Sequence, residues 1–148
     1  MIHIAIILGI MAGLFFLVYS YYFWLIMKGQ ATDFEITIIK SLAGWMIEKG
    51  ALTKQLLWVL LFFSFILEMT YIVLALLILS NPVITIFTIL FAGFDCFHVS
   101  VLTLNFIKFF HGQIAIRYIF NWKIERAGAV LLFTHATLVI LALLFIHM

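Results

Sequence analysis

Two carboxylates and two imidazoles, Glu68, Asp95, His98 and His135, lie deep inside apolar runs where ionisable side chains are rare. In hydrocarbon such groups cost several kcal/mol unless paired or hydrated, which makes them the first candidates for function. Their oxygens and nitrogens suit a single divalent transition metal such as Zn²⁺, Mn²⁺ or Fe²⁺. The same groups can relay protons, because a histidine of ordinary pKa about 6.5 beside a desolvated carboxyl has exchangeable states near neutral pH. A third chemistry is haem b, with His98 and His135 as axial ligands. Helix glue competes with all three: a protonated Glu68, an Asp95 paired with His98 on its own helix, and a His135 bonded to a neighbouring carbonyl. Tyr19, Ser64, Tyr71 and Asn105 are the supporting polar residues, since Ser64, Glu68 and Tyr71 share one helical face and Asp95, His98 and Asn105 approximately share another. Asp95 and His98 match the carboxylate-x-x-histidine spacing of bundle-embedded di-iron sites. Such sites need two of these elements and further Glu residues, so a di-metal centre is disfavoured within one chain.

The elements that must carry these residues follow from composition. Of 148 residues, 68% are hydrophobic and 9% charged, and the mean hydropathy is +1.32; soluble domains run at roughly 45–50% apolar and about 25% charged. Eight basic and six acidic side chains cannot cover a soluble globule of 17.1 kDa. The fold class is an all-α membrane protein whose principal partner is the lipid bilayer. A scattered net charge of +2 excludes nucleic acid as a partner. Cys96, the lone cysteine, forms no disulfide framework and reads as a packing residue.

A hydrocarbon core about 30 Å thick takes about 20 helical residues. Ile2 to Met27, Leu56 to Leu79, Val83 to Ile107 and Ala127 to Met148 meet that requirement. They predict four transmembrane helices in two hairpins, forming a single domain over residues 1–148. The first has no basic leader and exceeds the roughly 7–15 apolar residues of a signal peptide, so it reads as a retained anchor. At about 1.5 Å per residue, Glu68 stands roughly 21 Å from Lys54, Asp95 and His98 roughly 20 and 15 Å from Lys108, and His135 roughly 14 Å from Arg126. All four therefore occupy one slab about 8 Å thick, and Tyr19, about 14 Å from Lys28, joins them.

Every lysine and arginine falls on the segments joining spans one to two and three to four, or at the adjoining helix ends. The positive-inside rule makes that face cytoplasmic and both termini non-cytoplasmic. The expected location is a bacterial inner membrane. His3 and His147 read as interfacial residues, and Tyr21, Tyr22 and Trp24 as an aromatic belt. Between spans one and two, Thr32-Asp33-Phe34-Glu35 reads as a capping box. Phe34, Ile38, Ile39, Leu42, Trp45 and Met46 then recur at helical spacing until Gly50 stops the helix. With Asp33, Glu35, Lys40 and Lys49 opposite, residues 32–49 predict an amphipathic helix in the cytoplasmic headgroup plane. Residues 114–126 alternate like a strand, while Tyr118 and Trp122 also fit one helical face. Both segments suit interfacial anchoring or partner docking.

Trp45-Met46-Ile47-Glu48-Lys49 recurs as Trp122-Lys123-Ile124-Glu125-Arg126, and Ala12-Gly13 and Gly29-Gln30 recur as Ala92-Gly93 and Gly112-Gln113. This reads as a parallel internal repeat, although interfacial Trp and Lys/Arg also recur for anchoring. No Ser-His-Asp order, phosphate loop or metalloprotease signature is present, so an enzyme is not the expected class. The expected function is a small integral membrane subunit or scaffold of a larger complex, with other subunits or copies of itself as partners. Alternatives are an oligomeric ion, proton or divalent-metal transporter, and a membrane enzyme or haem- or quinone-binding electron-transfer subunit.

Overall fold

An uncharged apolar run without proline has nothing to break it, and Ile2–Met27 is one helix, α1. The computed structural model describes residues 2–146. After α1 come α2 (Ala31–Lys49), a 3-10 turn (Gly50–Leu52), α3 (Thr53–Ile78), α4 (Pro82–Phe110), a second 3-10 turn (Ile116–Tyr118) and α5 (Trp122–Ile146). The described residues contain no strand. α1, α3, α4 and α5 are long and apolar enough to cross a membrane. The protein is thus a multi-pass helical membrane protein. The expected end of the last span at Met148, and His147, lie outside the described residues.

Helix ends follow local chemistry more closely than hydropathy. Asn81 caps α4 by accepting from the Val83 and Ile84 amides at 2.9 and 3.3 Å, and Pro82 fills the first turn, where no amide partner is lost. α5 starts at Trp122, ahead of the expected Ala127, because a helix continues past the hydrocarbon edge wherever its residues permit. α1 and α4 close identically. Gly29 and Gly112 both adopt φ +70°, and Gln30 and Gln113 each donate their amide at 2.9 Å to the carbonyls of Leu25 and Lys108. This is the Schellman closure, in which a Cβ would cost about 1–2 kcal/mol. The Trp-containing segments are not equivalent in this way: Trp45–Lys49 ends α2, whereas Trp122–Arg126 opens α5. Residues 114–126 resolve into the 3-10 turn and the first turn of α5.

α1 packs against α5 and α3, and α4 packs against α3 and α5, closing a ring of four helices. Its core is a helical stripe from each wall: Leu8, Ala12 and Phe15; Tyr71, Ile72 and Ala75; Phe91; and Leu132, Ala136, Val139 and Leu143. Hydrophobic burial does little for helix association when lipid is the alternative, so close approach at Ala12, Ala75, Ala129 and Ala136, all buried, supplies dispersion contact. Outward faces such as Leu14, Leu17 and Val18, or Phe62 and Phe63, are exposed. A second cluster, centred on Leu57, Phe106 and Ile119, joins α3, α4 and the following segment at the cationic end.

α2 departs from expectation at its start. The capping box at Thr32 to Glu35 does not form, and the N-cap Gln30 makes no side-chain bond. Glu35, expected on the outer polar face, is instead 3% exposed. Thr32 and Glu35 both accept from Arg126 of α5, and a guanidinium bonds a carboxylate more strongly than neutral backbone amides do.

Candidate polar site within the helical bundle

Three polar groupings run along the bundle, and the middle one lines a cavity. Its walls come from all four long helices: Tyr19 of α1, Glu68 of α3, Asp95 and His98 of α4, and Glu125 of α5, with Phe91, Phe94, Gly128, Ala129 and Leu132 completing the lining. The α5 contribution is a face at i, i+3, i+4 and i+7, running Glu125, Gly128, Ala129, Leu132. The Phe94 ring packs over Gly128, its nearest atom 3.4 Å from where a Cβ would stand. The cavity measures about 40 Å³, room for roughly two or three waters.

The hydrogen bonds divide the cavity into engaged and unengaged oxygens. His98 Nε2 meets both Glu125 carboxylate oxygens at 3.0 Å across the α4–α5 contact. Ser64 donates to Glu68 Oε1 at 3.2 Å from one turn earlier on α3. Asp95 is 2% exposed, and among the described residues its Oδ2 is a buried side-chain oxygen without a hydrogen-bond partner. An oxygen in that condition lies at high free energy unless the cavity supplies a donor or the carboxyl itself carries a proton.

Toward the opposite end lies a closed knot. His135 is fully buried, its Nδ1 2.8 Å from the Tyr71 hydroxyl and its Nε2 2.8 Å from Thr88 Oγ1. Which partner donates is set by the imidazole tautomer. With the Thr88 hydroxyl donating to the Ile84 carbonyl at 2.7 Å, the imidazole proton is on Nε2 and the Tyr71 hydroxyl donates to Nδ1; with the Thr88 hydroxyl donating to Nε2, the imidazole proton is on Nδ1 and Tyr71 accepts. Phe87 and Phe91 stack on the ring with centroids 5.8 and 5.2 Å away.

At the cationic end, Arg126 donates to Glu35 Oε1 at 2.6 Å and Oε2 at 2.8 Å. The Tyr22 hydroxyl donates to Glu35 Oε1 at 2.7 Å. These bonds, with Arg126 the largest cause, hold the Glu35 carboxyl below the usual carboxylate range.

Models of known protein families, curated proteins and solved structures were compared with the chain, and none matches.

Of the residues expected from sequence, Glu68, Asp95, His98 and Tyr19 come together around the cavity, with Ser64 behind Glu68. His135 and Tyr71 do not join them; Phe91 stands between, lining the cavity and stacking on His135. The expected metal set Glu68, Asp95, His98 and His135 is therefore split. Among the described residues no three His, Cys, Asp or Glu side chains are grouped so as to hold a metal ion. Asn105 also lies elsewhere, donating from Nδ2 to the Ile119 carbonyl at 2.9 Å. Asp95 does not pair with His98, which turns to Glu125 instead. Cys96 is exposed on the bundle's outer face, not packed inside. Tyr22 is more than a belt residue, since it bonds Glu35.

Sequence reasoning missed Glu125, Arg126 and Glu35. Starting the last span at Ala127 placed Glu125 in a connection, although its spacing to Gly128, Ala129, Leu132 and His135 continues one helical face. That continuity was the available signal.

Proposed function

We propose that the protein is a small integral membrane subunit whose central carboxylate and imidazole cavity takes up and releases protons within the bilayer. The observation that carries this reading is the buried, unpartnered Asp95 oxygen facing a water-sized cavity shared with Glu68, His98, Glu125 and Tyr19. Glu68 is the exchanging carboxyl, and Asp95 stands beside it on the cavity wall. The His98–Glu125 pair is the adjoining relay, because either member can hold the proton between them.

Divalent-metal transport and haem ligation are less well supported, since both nitrogens of His135 are engaged by hydroxyls. An oligomeric proton transporter is the second reading, and a cavity lined by ionisable residues from all four long helices favours it. The two hairpins, the parallel repeat, the interfacial placement of α2, and cytoplasmic exposure of the cationic end belong to the same proposal. The matching closures at Gly29 and Gly112 support the repeat. Five charged residues in α2, Asp33, Glu35, Lys40, Glu48 and Lys49, support an interfacial helix over a spanning one.

Infrared difference spectroscopy on the lipid-reconstituted protein tests the core of this reading. The carbonyl band of protonated carboxyls is followed between about pH 5 and about pH 9, the range over which a relay must exchange. A reversible change that Glu68→Gln diminishes is the expected result. A spectrum without any pH-dependent carboxyl signal in this range would overturn it.

A further inference from the structure

We infer that the groove between the end of α4 and the start of α5 binds the headgroup of an anionic phospholipid. The groove, about 730 Å³, is lined by Lys108, Arg117 and Lys123 together with Asn105, Tyr118 and Trp122. Three cations from three separate pieces of chain face one space: the last turn of α4, the 3-10 turn, and the first turn of α5. No acidic side chain lines it, and among the described residues none of the three forms a salt bridge. Arg126, by contrast, is committed to Glu35, and Lys49 to Glu48.

The geometry is fixed before any ligand arrives. Gly112 reverses the chain in its φ +70° turn. Ile119 is fully buried, and its carbonyl is held by Asn105. The Arg117 guanidinium rests 4.6 Å from the Tyr118 ring centroid, which limits its freedom. A phosphate needs several converging N–H donors, and these side chains supply them. Ile114 and Phe120 give the same groove an apolar wall, which fits the glycerol and first acyl carbons of a lipid and has no use for free phosphate. Tyr118 and Trp122 are the residue types that settle at headgroup depth.

The test compares two variants of equal charge loss in the full-length protein. Lys108→Gln/Arg117→Gln/Lys123→Gln removes the groove cations, and Lys28→Gln/Lys40→Gln/Lys54→Gln removes three others from the same end. Retained lipid is counted by native mass spectrometry after exchange into mixed phosphatidylglycerol and phosphatidylcholine. Wild type should retain phosphatidylglycerol selectively, the groove variant should lose about tenfold in retention, and the control less than about twofold. Inorganic phosphate should not displace the lipid. Equal loss in both variants would reduce the effect to the general positive field of that end and overturn the site, as would displacement by phosphate or no preference for the anionic lipid. Should the triple variant fail to fold, Lys123→Glu alone places a repelling charge in the groove, and unchanged retention would count equally against it.

Discussion

Each ring nitrogen of His135 meets one hydroxyl, so a single neutral tautomer fixes the direction of both bonds; with Thr88 turned to Ile84, the proton is on Nε2 and Tyr71 donates to Nδ1. ¹⁵N chemical shifts should show this single tautomer, and rapid exchange between tautomers would contradict the network. Tyr71→Phe and Thr88→Val each leave one buried ring nitrogen of His135 without its hydroxyl partner. Each should destabilise the bundle by about 1 kcal/mol, the lower part of the range because helices in membrane find substitute partners. Unfolding in detergent by denaturant titration measures it. The double variant should cost less than the sum, since both bonds position the same ring. Asp95 makes no such bond at Oδ2, so Asp95→Asn should leave stability within about 1 kcal/mol of wild type. A loss of several kcal/mol would recast Asp95 as a structural residue.

At the scale of elements, α2 is fastened to the bundle by Glu35 near its start and by Leu42, Trp45 and Met46 against the second cluster. The Arg126 side chain is 40% exposed and the Glu35 side chain 4%. Arg126→Gln therefore strands a buried carboxylate, at a cost on the order of 2 kcal/mol after discounting buried-pair values for screening of the exposed arginine. Hydrogen exchange of the α2 amides should accelerate accordingly while the α3 and α4 amides keep their protection. The pH dependence has a definite sign. Because the docked Glu35 carboxyl titrates below its ordinary value, its contribution is complete above about pH 5 and disappears as acidification passes the ordinary value near about 4.3 and then the lowered one. Measured against the intrinsic amide rate at each pH, protection in α2 should therefore fall at acid pH in wild type and be insensitive to it in Glu35→Gln. Equal acid sensitivity in the two would assign the effect to another group.

For the whole molecule, connectivity puts every lysine and arginine at one end of the ring of helices. A membrane-impermeant amine reagent should label Lys28, Lys40, Lys108 and Lys123 in inside-out vesicles and leave them unmodified in right-side-out vesicles. Labelling from both sides would break the proposed topology. Mild-detergent purification distinguishes the two assembly readings: unlike chains in stoichiometric amount are expected for a subunit, and a clean homo-oligomer favours the transporter reading. Either result leaves the cavity chemistry to be tested as described above.

Sequence alone determined that four helices are long and apolar enough to cross a membrane, because hydrocarbon thickness and backbone hydrogen bonding set the apolar run length a span needs. It also determined where along their helices Glu68, Asp95 and His98 stand, since helical rise is constant. Azimuth was different. Which way a side chain turns depends on how four helices rotate against one another, and nothing in a single helix records that rotation. Only the tertiary structure separated His135 from the carboxylates, turned His98 toward Glu125, and drew Glu35 inward to Arg126. The last case shows the reason most directly: Thr32-Asp33-Phe34-Glu35 satisfies a local capping pattern, and a guanidinium 91 residues away in the chain claimed the same oxygens.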